Sequence, residues 1–100
     1  MRWLDSVKFN DLQPQTVLAL FRVDEVYTKF GYEFWITSLN DKTHAPGSLH
    51  FKGRAFDCRT KNVDADILVS LHAAIAACLG PQFDVVLESD HIHVEYEGNR

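Results

Sequence analysis

The sequence has little of what marks the specialised protein classes. Cysteine occurs only at Cys58 and Cys78. Two cysteines without CxxC spacing exclude a disulfide framework, and both read as small buried hydrophobes rather than a redox pair. Five glycines and three prolines leave nothing that reads as disordered beyond the final Gly98-Asn99-Arg100. No run of lysine or arginine appears, and the net charge is -4, which argues against a nucleic-acid partner. Lys52, Arg54, Arg59 and Lys61 come nearest to a basic cluster and read as a solvated strand face. No stretch approaches the roughly 20 apolar residues that span a bilayer, so no membrane insertion is expected. Met1-Arg2-Trp3-Leu4-Asp5 reaches an acid before any apolar core of signal length. Synthesis in the cytoplasm is therefore expected, with any role outside the cell depending on release by another factor.

What is present is ordinary for a globular chain: 46% hydrophobic and 24% charged residues over 100 positions. That length suits a single domain, residues 1–100, able to bury a core without staples. Residues 1–12 lack a firm period and read as an extended lead-in. Pro14 suits the first turn of a helix. Val17, Leu18, Leu20, Phe21, Val23, Val26, Tyr27 and Phe30 then recur at three- and four-residue steps, predicting a helix with a wide buried stripe that Gly31 ends. Residues 33–39 (EFWITSL) predict a strand with Phe34 and Ile36 on one face. Residues 40–47 read as a loop, and residues 54–60 as a second strand on which Ala55, Asp57 and Arg59 alternate with Phe56 and Cys58.

A second helix follows from Ile67, Leu68, Leu71, Ala74, Ile75, Cys78 and Leu79, with Asn62 or Asp64 as the expected cap and Gly80-Pro81 as the stop. Residues 83–87 (FDVVL) and 91–97 (HIHVEYE) predict two strands joined through Glu88-Ser89-Asp90. His91, His93 and Glu95 fall on one face of the last strand; Ile92, Val94 and Tyr96 fall on the other. The order predicts an α+β fold, a small antiparallel sheet with two main helices packed on one face.

Two stretches carry candidate chemistry: Ser48-Leu49-His50-Phe51-Lys52-Gly53-Arg54-Ala55-Phe56-Asp57 and Asp90-His91-Ile92-His93. They bring imidazoles and carboxylates, the donors of a hydrolytic zinc site, for which three protein ligands and an open position are required. An HxH pair alone fits a wet strand face equally well. Gly53 lets the backbone pass close to a neighbour, and Ala55 leaves room beside Asp57. His44 reads as an exposed loop histidine and His72 as a residue at the helix boundary. Glu88 is a rival to Asp90 as a base.

The pattern Ser48-x-His50-x-x-Gly53-x-Ala55-x-Asp57, followed by Asp90-x-x-His93 within an HxH, resembles the zinc peptidases of the D-alanyl-D-alanine carboxypeptidase and phage L-alanyl-D-glutamate endopeptidase group. That group shares its fold with the hedgehog signalling domain, and the similarity spans about residues 12–97. The resemblance implies a hedgehog/DD-peptidase-like fold and one Zn2+ per chain held by His50, Asp57 and His93. It makes Asp90 the catalytic carboxylate, general base and then general acid, and His91 a residue that holds or polarises the substrate carbonyl. Ser48 becomes a hydrogen-bonding support. The implied partner is the stem peptide of peptidoglycan, cut between L-Ala and D-Glu or between D-Ala and D-Ala by a lysin-like enzyme that reaches the cell wall after release. Family members often carry Gly-Tyr-Arg after the strand serine, whereas this chain reads Ser38-Leu39-Asn40-Asp41-Lys42. Lys42, Arg54 or Arg59 would have to replace that arginine at the substrate. A catalytically inactive metal-binding module of the same fold is the alternative, and an α+β domain with coincidental histidines a third reading.

Overall fold

Period-two alternation and two amphipathic runs become a five-stranded sheet with two helices in the computed structural model, which describes residues 1–39 and 53–98. In chain order the elements are β1 (Arg2–Trp3), α1 (Pro14–Lys29), β2 (Trp35–Ser38), β3 (Ala55–Arg59), α2 (Leu68–Leu79), β4 (Phe83–Leu87) and β5 (His91–Tyr96). The sheet order is β1-β2-β3-β5-β4. All pairings are antiparallel except β1 with β2, which is parallel. The expected purely antiparallel sheet is therefore mixed at one edge, because the lead-in supplies a short strand there. Two residues are too few to show a period.

The core lies between the helices and one face of the sheet. Phe34, Ile36, Phe56, Cys58, Ile92 and Val94 are fully buried there, against Leu20, Val23 and Tyr27 of α1 and Leu71 and Ile75 of α2. Burying one such large side chain contributes about 1.5–3 kcal/mol. The Tyr27 ring packs 5.1 Å from Phe34, and its hydroxyl donates to the Arg59 carbonyl. Burial holds that phenol neutral, its pKa well above the ordinary value.

Pro14 opens α1 as expected, and Gly31 at φ 87° follows its end. The buried stripe is narrower than expected. Val17, Leu18 and Phe21 are exposed, since the sheet and α2 cover only one side of the helix. Val17 and Phe21, with Met1, Trp3, Phe9, Leu12 and Leu20, line an apolar hollow of about 530 Å³. Cys78 is exposed as well, correcting the expected burial; Cys58 is buried, and both are free thiols. Neither Asn62 nor Asp64 caps α2, whose N-cap is Ile67 without a side-chain bond. Asn62 instead donates to the Glu33 carbonyl, while turn bonds from Val63 to Thr60 and from Ile67 to Asp64 lead into the helix.

Gly53 ties the start of α1 to the start of β3. Its carbonyl accepts from the Gln13 amide at 2.9 Å and from the Thr16 hydroxyl at 2.8 Å. With φ at 68°, and with a Cβ destined to strike the Asp11 backbone carbonyl, only glycine fits. The close neighbour expected from the sequence is thus the chain itself. No helix among the described residues is long and apolar enough to cross a membrane.

Candidate metal centre

The second face of the sheet is polar at its middle. Antiparallel register sets Asp57 of β3 directly opposite His93 of β5, and Arg59 opposite His91. Directly opposed residues present their side chains on the same face, about 4.5–5.5 Å apart at Cβ, so the pairing alone brings one carboxylate between two imidazoles. Donor atoms of Asp57, His91 and His93 lie within 4.8 Å of one another. Asp57 Oδ1 is 2.8 Å from His93 Nδ1 and 3.7 Å from His91 Nε2. Ligands about 2.0–2.1 Å from a tetrahedral zinc are separated by about 3.3 Å, a value that falls between those two distances. The donor set of two nitrogens and one carboxylate oxygen also suits a zinc-type ion.

Each imidazole has a partner on its remaining nitrogen. His91 Nδ1 donates to Asp90 Oδ1 at 2.6 Å, and its Nε2 faces Asp57 Oδ1 at 3.7 Å. His93 bonds Asp57 through Nδ1 and Glu95 Oε1 through Nε2, the latter at 2.6 Å. The hydrogen bond to Asp57, reinforced by Glu95 and opposed by burial, raises the His93 pKa to about 9. Without a metal, His93 is therefore an imidazolium donating to both carboxylates. A cation placed between Asp57 and His93 takes over the role of the Nδ1 proton.

The residues expected at a site divide into three groups. Asp57, His91 and His93 come together, with Asp90 joined to them through His91. Asp90 is 84% exposed and turned to His91 rather than to the cluster. Arg54 is held elsewhere: its guanidinium lies 5.8 Å over the ring of Tyr96, a side chain that alternates with His93 and Glu95 along β5. His50, Ser48, Lys42 and His44 lie outside the described residues. Of the two described cations considered as replacements for the missing arginine, Arg59 is the one that the register sets beside the cluster. It stacks 4.6 Å over Trp35, and its buried Nε has no hydrogen-bond partner among the described residues. His72 Nε2 lies 2.7 Å from the Val85 carbonyl, tying α2 to β4.

Glu95 received no role from the sequence, although its place two residues after His93 on the same strand face was readable. A second group, Asp84, Glu95 and Glu97, also lies within metal-binding distance. An all-carboxylate set suits a hard cation rather than zinc, and its three partly buried carboxylates supply no nitrogen donor. A larger hollow of about 760 Å³, bounded by residues from Met1 to Asp5 with Glu33 and Trp35, does not include the cluster. No family model, curated protein or solved structure matches this chain.

Proposed function

We propose that the chain is a zinc-dependent peptidase of peptidoglycan stem peptides, with the hedgehog/DD-peptidase-like fold that its two motifs resemble. The observation that carries the reading is the convergence of Asp57, His91 and His93 on one point of the sheet. Asp57 and His93, with His50, hold the ion. Zinc, if bound there, would supply Lewis acidity toward a carbonyl oxygen and make water more acidic. Asp90 removes the proton from the attacking water and returns it to the leaving amine. His91, its tautomer fixed by Asp90, presents Nε2 to the substrate carbonyl or to the ion itself. Among the described cations, Arg59, opposite His91 in the strand register, would be the one to meet a substrate carboxylate.

Digestion of purified peptidoglycan by the zinc-loaded protein, followed by mass spectrometry of the released fragments, tests the reading. New N-terminal D-Glu is the expected product. Free D-Ala instead assigns the carboxypeptidase reaction. No release from a protein that binds one zinc supports the inactive module, which the outward position of Asp90 favours. Comparing the zinc content of His50→Ala and His91→Ala decides which imidazole completes the ligand set.

A further inference from the structure

On the polar face of β5, His91, His93 and Glu95 stand in a row, and Glu95 meets the centre only through the ring of His93. The two nitrogens of that ring point to opposite sides. Nδ1 faces Asp57, hence the point shared with His91; Nε2 faces Glu95 Oε1 at 2.6 Å. Glu95 is therefore behind the ring and is not among the groups converging with Asp57 and His91. Its neighbours across the sheet are Ala55 and Asp84. The small, fully buried Ala55 leaves the Glu95 carboxylate free to swing toward His93.

A histidine that binds a metal through one nitrogen generally donates its other N–H to a carboxylate or carbonyl, which fixes the tautomer and makes the ligand more basic. We infer that Glu95 is a positioning residue for the metal centre, holding His93 with Nε2 protonated and Nδ1 directed at the ion. This inference rests on the proposed zinc site. It adds that the site's strength depends on a residue that does not touch the ion. The partly buried setting, 20% exposure for His93 and 22% for Glu95, keeps water from replacing the bond.

Zinc affinity of the full chain, measured by competition with a chromophoric chelator, tests the assignment in three variants. Glu95→Ala is expected to weaken zinc binding about 10–100-fold. Glu95→Gln keeps an acceptor oxygen without the charge and is expected to recover part of that loss. His93→Ala is expected to abolish stoichiometric binding. Nitrogen-15 spectra of the histidine rings supply a second readout: the loaded parent should show a protonated Nε2 on His93, and Glu95→Ala should lose that slowly exchanging proton. Unchanged affinity in both Glu95 variants, with binding lost in His93→Ala, overturns the positioning role and leaves the metal centre standing. A Glu95→Ala variant that melts earlier when metal-free but binds zinc as tightly as the parent also overturns it. A parent chain that takes up no zinc overturns the centre itself, and the inference with it.

Discussion

Strand β5 has two faces built by one alternation, and they differ in what they tolerate. Ile92 and Val94 are fully buried beneath the helices, while His91 and His93 keep 30% and 20% of their side chains exposed. The first face needs only apolar volume. The second holds groups whose burial costs free energy unless every nitrogen and oxygen finds a partner, and each of its imidazoles has two carboxylate neighbours. The difference teaches that stability and chemistry are separated across the thickness of one sheet. Substitutions on the two faces should therefore fail in different ways.

The largest effect is expected on the buried face. Phe56 neighbours Asp57 in β3 but points the opposite way, packing 6.2 Å from Phe34 with no exposure. Phe56→Ala should lower the free energy of unfolding by about 3–5 kcal/mol, read by urea denaturation. The fraction that remains folded should bind zinc with unchanged stoichiometry, because the strand register that sets Asp57 opposite His93 does not depend on the Phe56 ring. Cys58 offers a local check. Burial, with the nearby Asp57 charge, pushes its thiol well above the ordinary value. A thiol reagent should therefore modify Cys78 quickly and Cys58 only as the buried face opens. Loss of zinc binding in folded Phe56→Ala would break the separation of the two faces.

The two faces were also unequally legible. Strict alternation in residues 91–97 placed the last strand, since a half-buried strand writes its period directly into the sequence, and the short apolar run 83–87 placed its hairpin partner. The first helix was bounded by Pro14 and Gly31 for reasons local to the backbone. Exposure of Leu18, Phe21 and Cys78 was not readable, because a helix's apolar stripe does not say how much of it neighbouring elements will cover. The cap of α2 was misread for a related reason: Asn62 found a distant carbonyl, Glu33, which no local pattern announces. At the site, Asp57 and the HxH were readable as residues, whereas their meeting depends on strand register. Glu95 was passed over because a carboxylate two positions from a histidine means little until the ring's two nitrogens are seen to face opposite sides.

A smaller effect is expected from Asp90 on the polar face. Proton transfer by a placed carboxylate is worth about 10²–10⁴-fold in rate. With Asp90 84% exposed and shared with His91, the lower end applies, so Asp90→Ala should reduce turnover on the order of 10²-fold. Its stability should change by no more than about 0.5 kcal/mol, as for other surface positions. Zinc content should be unchanged. This contrasts with Phe56→Ala, which lowers stability and spares chemistry. Turnover that survives in Asp90→Ala would move the base to Glu88.

The smallest effect, and the one that separates the faces by pH, concerns His93 in the metal-free protein. Asp57 from β3 and His91 and Glu95 from β5 surround its ring, with Val86 and Asp84 contributed by β4. Its pKa is raised from 6.5 to about 9, chiefly by the hydrogen bond to Asp57. A raised pKa means that the folded state binds the proton more tightly than the unfolded one. The stabilisation is therefore fully present below about pH 6.5 and is lost as pH rises through about 9. Partial exposure screens the pair and keeps the change modest. Zinc binding should run the other way, strengthening over the same interval as the competing proton leaves Nδ1. Urea titrations of the metal-free chain and of His93→Gln between pH 6 and 10 make the comparison: the parent should lose stability relative to the variant as pH rises. A pH-independent difference would show that Asp57 and Glu95 do not hold His93 as a cation, and that the polar face is set by backbone register alone.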